Sequence, residues 1–551
     1  MISPGTPLDF VLVLHIHVPH VMRHGRWPHG SDWLMEAAVN SYLPLLDVFD
    51  RLTRERVAAP ATVNVTPIAA AQLRDPRFRG ELRSFFAQRL ATCEADEQDL
   101  ESKGEAASAA VVRFWRAWYA ARAAQFDALD GDIVGALAHL ERAGRIELMS
   151  SAATHGFLPL LARDESIRLQ LAVGRQEHER AFNRTARGCW LPECAYRPRG
   201  PWAPVADVAP RMRAGIESHL EDAGYQFTVV DAHLARAGQP LEAYGTSGRT
   251  SDRHTERSPY GNYTIGAEHR AVRALVRDPI ATRQVWSRDE GYPGAAPYRE
   301  FHKMRFPGGL QLWSVTGPGV ALGDKLLYRP DAALAEARLH GRHFANLVRD
   351  VAHGPHPIDG VLVAPFDAEL FGHWWFEGPE FLGEAYRTLR AAPNVRPVTA
   401  STHVGRTSST ALHLPAGSWG RDGDFGFWLN DATTAMWRRM WALEERFWSV
   451  AAQALARAND HAILAQAARS LLLAQSSDWE FMISAAEVAD YGQKRFAMHA
   501  TDAETLVDAL ERGEGSESVG RLVNALAERD AVFPDVLDGV ALALQAHAAA
   551  A

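Results

Sequence analysis

Val361-Leu362-Val363-Ala364-Pro365-Phe366-Asp367-Ala368-Glu369 is a short apolar run that ends on acids, and the helical stretch Asp331–Val351 leads into it. The run reads as a strand with carboxylates at its end, and helix-then-strand is the repeating unit of a parallel sheet. Comparable apolar runs occur at Phe10–Leu14, Ala61–Val65, Ile146–Ser150, Cys189–Leu191, Phe227–Val230 and Leu310–Val315. Strand–helix alternation over some 400 residues predicts a closed β/α barrel, the commonest large single-domain form of such a sheet. The polar residues that follow the strands, His15, His155, Glu193, Asp231 and Asp367, then gather on the C-terminal face, where barrel enzymes keep their chemistry.

The rest of the chain divides around that barrel. Residues 76–140 read as a helical insertion, with Phe85, Phe86, Phe114, Trp115, Trp118 and Tyr119 spaced to pack together. Residues from 232 to about 265 are polar, rich in Gly and Arg, and read as a lid loop. The pattern is wholly helical from Asp431, with Trp437, Trp441, Phe447 and Trp448 at core spacing, which gives a barrel over 1–405 and a helical domain over 406–551. With 47% apolar and 23% charged residues the chain is an ordinary globular one, and its net charge of −9 argues against a nucleic-acid partner. The run Phe10–Leu14 lacks a basic leader and no stretch approaches a membrane span, so a cytoplasmic protein is expected. The three cysteines, Cys93, Cys189 and Cys194, fit a reducing compartment without disulfides.

The second acid segment is Gly188-Cys189-Trp190-Leu191-Pro192-Glu193-Cys194-Ala195-Tyr196-Arg197-Pro198. Two acids at separate strand ends, each ringed by aromatics, suit glycosidic bond chemistry: one carboxyl acts as nucleophile or base, the other as acid, and aromatic faces stack on sugar rings. Asp367 and Glu369 are two apart; Asp367 lies nearer the apolar run, and Glu369 is read as structural or solvent-facing. His15 and His17 leave the same strand face. An HxH pair ending a first barrel strand also suits a metal-dependent hydrolase, with His155, Glu193 and Asp367 completing a shell. That alternative predicts inactivation by chelation.

The chain resembles glycoside hydrolase family 57, and within it the 1,4-α-glucan branching enzymes. The resemblance rests on His15-Ile16-His17-Val18-Pro19, Ala153-Thr154-His155-Gly156-Phe157-Leu158-Pro159, Trp190–Tyr196, Phe366–Trp374 and Ser476-Ser477-Asp478-Trp479-Glu480-Phe481, in that order. Arg277-Asp278-Pro279, Gln284–Ser287, Gly291-Tyr292-Pro293-Gly294, Ser418-Trp419-Gly420 and Glu528–Pro534 carry the narrower likeness. It implies an incomplete (β/α)7 barrel with a helical C-terminal region, and a retaining double displacement without metal or cofactor. Glu193 would be the nucleophile and Asp367 the acid/base. Arg277, Gly294, Trp419 and Asp478 would bind glucan, while His15, His17, His155, Trp286 and Trp428 line the cleft. Tyr244 is the best match for a loop tyrosine that favours transfer over hydrolysis, although the loop from Thr246 to Tyr263 is longer than usual and Tyr260 competes. The expected partner is an α-1,4-glucan such as amylose or glycogen. An α-amylase or 4-α-glucanotransferase of the same family shares these signatures, and a glucan-binding protein without catalysis is the remaining alternative.

Overall fold

The computed structural model describes residues 7–26, 29–235, 257–266, 272–287, 290–486 and 488–548. Seven parallel strands form the barrel: β1 (Leu8–Ile16), β2 (Ala61–Val65), β3 (Ile146–Ser151), β4 (Cys189–Trp190), β5 (Phe227–Val230), β6 (Val272–Val276) and β7 (Val361–Asp367). β7 pairs with β1, and the ladder continues through β2 and β3 to β4. β5 pairs with β6. Among the described residues the two arcs meet only through single bridges, Gly188 with Phe227 and Arg277 with Val363, so the barrel is incompletely closed. Every residue of β1 is buried, as expected of a strand covered on both faces. In the β1–β7 register His15 stands opposite Asp367, which brings the first histidine motif beside the second acid.

Two expectations need correction. Leu310–Val315 is not a barrel strand; it makes only isolated bridges, Leu310 with Arg305, Ser314 with Arg299 and Trp313 with Leu327. Gly-Pro-rich turns at 307–309 and 317–319 confine it to an arm, where Trp115 Nε1 donates to its Gln311 carbonyl at 2.8 Å. The missing strand is β6, hidden in the polar stretch because Arg273 interrupts its apolar run. The Arg273 guanidinium leaves the sheet to donate to the carbonyl and hydroxyl of Thr407. The far end of the expected lid is likewise sheet, since Tyr263–Ile265 pairs antiparallel with β6.

The insertion is a helical hairpin, Phe78–Ser102 against Ala106–Ala128. Trp115 and Trp118 pack on Phe376 of the barrel, whereas Phe86 faces Phe126. Helices fill the C-terminal region from Thr434 onward, and its tryptophans are core. Their indole N–H groups also pin it to the barrel: Trp441 donates to the Leu160 carbonyl and Trp448 to Ser166 Oγ, both at 2.8 Å. No helix among the described residues is long and apolar enough to cross a membrane.

A polar anchor lies at the same interface. Asp530, fully buried after the helix Glu517–Arg529, accepts from His24 Nε2 at 2.9 Å and from its neighbour Arg529. His20 and His499 stand 3.6 and 3.8 Å from its carboxylate. Burial opposes its charge, but the His24 and Arg529 hydrogen bonds hold the carboxyl far below the ordinary carboxylate range. A depressed folded-state value means that this stabilisation is intact above about pH 4 and fades as pH falls below it. Asp530→Ala takes the acceptor from buried His24 and from Arg529, which keeps Asp502, so it is expected to cost about 1–3 kcal/mol, read as a lower Tm in thermal unfolding at neutral pH.

Candidate active site

Glu193 is placed by a strained turn. It follows β4 with φ +59°, and Cys194 continues at +47°, a left-handed pair that non-glycine residues adopt only when the surroundings enforce it. The enforcement is visible: the Trp419 backbone N–H donates to the Glu193 carbonyl at 3.0 Å and Tyr196 exchanges bonds with Gly417. The turn aims the carboxylate into the barrel mouth, where Trp419 Nε1 donates to Oε2 at 2.8 Å and Ser477 Oγ donates to Oε1 at 2.9 Å. Burial pushes Glu193 up to about 7 against the pull of these two donors; the charges of Asp478 and Asp367 add to the rise.

Asp367 ends β7 and is partly open to solvent. Burial of its surroundings and the neighbouring Glu369 charge push it up to about 7, against His17 and Arg277. Glu369 is structural but not solvent-facing. It is buried and accepts from the Tyr42 hydroxyl at 2.5 Å and the His17 backbone N–H at 3.1 Å. Tyr42 reaches it from a single π-helical turn, Ala38–Tyr42, which also directs Ser41 Oγ onto the Ala368 carbonyl.

The histidines form a stack across the barrel top. His15 lies 4.8 Å from Trp190 and 4.9 Å from His155, and His155 lies 4.1 Å from His17. Their tautomers follow from fixed neighbours. Asn64 Nδ2 donates to the carbonyls of Met149 and Ser150, so its Oδ1 is an acceptor and His15 Nδ1 carries the proton at 2.6 Å. Ser477 gives its proton to Glu193, so it accepts from His155 Nδ1 at 3.1 Å. His155 Nε2 is then a bare lone pair, buried and unpartnered. Burial and the charges of His17 and His15 keep His155 well below the ordinary histidine range. His17 is the opposite case: burial alone would lower it, but Asp478, at 3.0 Å from Nε2, outweighs that and raises it.

Arg277 is fully buried, donates to Asp231 Oδ2 at 2.9 Å and lies 5.1 Å over the Trp419 ring. It therefore backs the indole that holds Glu193. Asp478 opens the helix Asp478–Ala485 and accepts from Ser476 Oγ. Trp428 is fully buried, its ring centroid 4.7 Å from that of Phe157 and its plane tilted 31° to it, and it packs beneath the Trp419 segment. Gly420 makes this possible, because a Cβ there would meet the Trp428 ring at 2.4 Å. Trp286 ends the helix Pro279–Trp286 and exposed Gly294 closes a turn anchored by buried Tyr292; among the described residues neither joins the hydrogen bonds around the two acids. Tyr244 lies outside the described residues. Its competitor Tyr260 is part-buried: burial first, and then the nearby Asp278 carboxylate, pushes its hydroxyl up, and its backbone carbonyl accepts from the Val361 N–H.

The reading from sequence missed the roles of Ser477, Asn64 and Tyr42. Ser477 lay inside a quoted motif, but nothing in sequence shows its hydroxyl relaying His155 to Glu193. Each donor to Glu193 favours the charged form, so Ser477→Ala and Trp419→Phe are each expected to lower kcat/KM about 10- to 100-fold. Losing a donor raises the Glu193 pKa, so the acid limb of the pH–rate profile should move to higher pH; an unmoved limb would show that neither group acts on the carboxylate.

Residues 11–415 match the family description "Glycosyl hydrolase family 57", and residues 435–538 match "1,4-alpha-glucan branching enzyme, C-terminal". A 1,4-alpha-glucan branching enzyme of Thermococcus kodakarensis is 36% identical over 96% of this chain and 77% of its own length. A probable 1,4-alpha-glucan branching enzyme of Mycobacterium tuberculosis is 30% identical over 95% of this chain and 96% of its own. The crystal structure of a family 57 branching enzyme from Thermococcus kodakaraensis superposes with a TM-score of 0.88 at 35% identity, covering 97% of this chain and 96% of that one.

Proposed function

Because this chain belongs to glycosyl hydrolase family 57, we propose that it is a 1,4-α-glucan branching enzyme in which Glu193 is the nucleophile and Asp367 the acid and then the base. The reaction cleaves an α-1,4 bond and joins the released chain to a 6-hydroxyl. Glu193 attacks the anomeric carbon while Asp367 gives its proton to the departing glycosidic oxygen. A 6-hydroxyl of a second chain then attacks the glycosyl-enzyme, and Asp367 takes the hydroxyl proton.

The single observation that carries the assignment is the pair of hydrogen-bond donors on Glu193. Both carboxyls are lifted toward 7 by burial, and such a pair needs its environments to differ before one ionises and the other keeps its proton. Trp419 and Ser477 favour charge on Glu193, while Glu369 beside Asp367 favours the protonated acid there. The bare His155 Nε2 fits a sugar hydroxyl donating to it. A 5-fluoro glycosyl fluoride, which slows the second step, should label the peptide containing Glu193 in mass spectrometry; a label on another carboxylate would contradict the assignment.

His17, His155 and Asp478 place donor atoms within 4.8 Å of one another, a set able to take a cation. The mechanism above routes no step through one, and Asp478 already accepts from His17 and Ser476. Branching is therefore expected to survive exhaustive chelation; inactivation with loss of stoichiometric metal would favour the metal-dependent alternative. Tyr260 lies beside the Asp278 carboxylate, and Tyr244 is the tyrosine we assign to a lid that keeps water from the intermediate. Tyr244→Ala is expected to shift products from branches toward hydrolysis without lowering Tm, whereas Tyr260→Ala is expected to lower Tm.

A further inference from the structure

Trp374 is 41% exposed and lies face-on against Phe301, with ring centroids 4.8 Å apart and planes 25° from parallel. It sits on the same loop as the second acid. The Trp374 N–H donates to the Glu369 carbonyl at 3.1 Å, and Gly372 N–H closes the turn on the Trp375 carbonyl at 2.7 Å. Gly372 takes φ +115°, and a Cβ there would meet the Asn40 carbonyl at 1.8 Å, so only glycine serves at this turn.

The scaffold beneath the indole is rigid. Arg299 is buried and donates through Nη2 to the His373 carbonyl at 2.6 Å and through its backbone N–H to Glu377 Oε1 at 3.1 Å. Its guanidinium also lies 5.3 Å over the Phe376 ring. The arm that carries Phe301 is thereby locked to the loop that carries Trp374.

Ten large apolar side chains are exposed among the described residues. Five of them, Met304, Phe306, Leu322, Leu326 and Trp374, belong to this arm or to the loop stacked on it. Single exposed apolar residues need no explanation, but half of the set falling on one arm and the loop stacked on it sets this face apart. His302, with its side chain 74% exposed, and Lys303, 4.4 Å over the Trp313 ring, supply polar groups at the edge. An aromatic face with a polar rim matches a sugar ring, which is apolar on its face and hydroxylated at its edge.

We propose that Trp374, stacked on Phe301, is a binding platform for the α-glucan chain as it leaves the catalytic cleft, and that it sets the preference for long chains. The proposal rests on the branching-enzyme reading for its substrate. An aromatic stack of this size changes binding by roughly tenfold. Trp374→Ala should therefore raise KM for long amylose about tenfold and leave kcat in place. A maltooligosaccharide too short to span from Asp367 to Trp374 should keep its KM, and Trp374→Phe should restore most of the loss.

Binding is measured separately in the Glu193→Gln background by electrophoresis through gels containing amylose. There Trp374→Ala should lose retention by the same factor. Equal retention would overturn the proposal, as would a KM rise shared by short and long substrates, which points to a displaced acid loop. A Trp374→Ala chain that changes oligomeric state by light scattering while holding amylose normally would also overturn it, assigning the patch to a second protein copy. If the wild-type chain forms no α-1,6 linkages, the branching reading fails alone, because amylose retention still decides the role of Trp374.

Discussion

Glu193→Gln is expected to abolish branching and hydrolysis together, by on the order of 10⁴- to 10⁶-fold. In the proposed mechanism both outcomes pass through one glycosyl-enzyme, so a change that prevents its formation cannot spare either. A carboxamide is a poor nucleophile, and it also presents N–H groups where Trp419 and Ser477 need an acceptor. The variant should fold, since Glu193 is held in its left-handed turn by backbone bonds to Trp419 and by the Tyr196–Gly417 bridge, which the substitution leaves alone. Initial rates of reducing-end release and of branch formation, measured beside a thermal unfolding curve, check this. Loss of branching with hydrolysis retained would show that Glu193 binds the acceptor instead of attacking the donor.

Asp367→Asn should lower the rate on amylose about 10²- to 10⁴-fold, with a signature that separates it from the first variant. Fluoride leaves without a proton, so a glycosyl fluoride donor should still form the glycosyl-enzyme on Glu193. The intermediate should then accumulate, because nothing takes the proton of the attacking 6-hydroxyl. Mass spectrometry of intact Asp367→Asn protein after mixing with the fluoride should show one added glycosyl unit. In the wild-type enzyme kcat/KM should be bell-shaped in pH: the acid limb reports protonation of the nucleophile and the alkaline limb loss of the Asp367 proton. Both carboxyls are pushed up to about 7, and the Asp367 charge adds to the rise of Glu193, so the limbs belong to the pair and not to either residue. An asparagine variant that keeps the alkaline limb and shows no accumulation would remove Asp367 from the mechanism.

What sequence discloses here follows from where each signal is local. Apolar runs ending on His15, Glu193 and Asp367 are local patterns, so six barrel strands and both acids were legible. β6 was not, because Arg273 breaks its run and the reason for that arginine, the Thr407 loop, lies more than 130 residues away. Leu310–Val315 has the composition of a strand, but its flanking turns leave it without a ladder. Trp428, which the family resemblance places at the cleft, is fully buried against Phe157 with Gly420 beside its ring, a packing that no local pattern discloses. The Ser477 relay and the Tyr42–Glu369 bond join residues 284 and 327 positions from their partners, distances over which no pattern speaks.

In the proposed mechanism a sugar hydroxyl captures the glycosyl-enzyme and makes a new linkage. Incubating purified wild-type protein with linear amylose and following both α-1,6 anomeric protons by NMR and total reducing ends tests it most directly. α-1,6 linkages are expected to accumulate while reducing ends stay nearly constant, and debranching should then release the transferred chains. Rising reducing ends without α-1,6 signal would mean that water captures the intermediate. Redistribution of α-1,4 chain lengths without branching would mean that a 4-hydroxyl does.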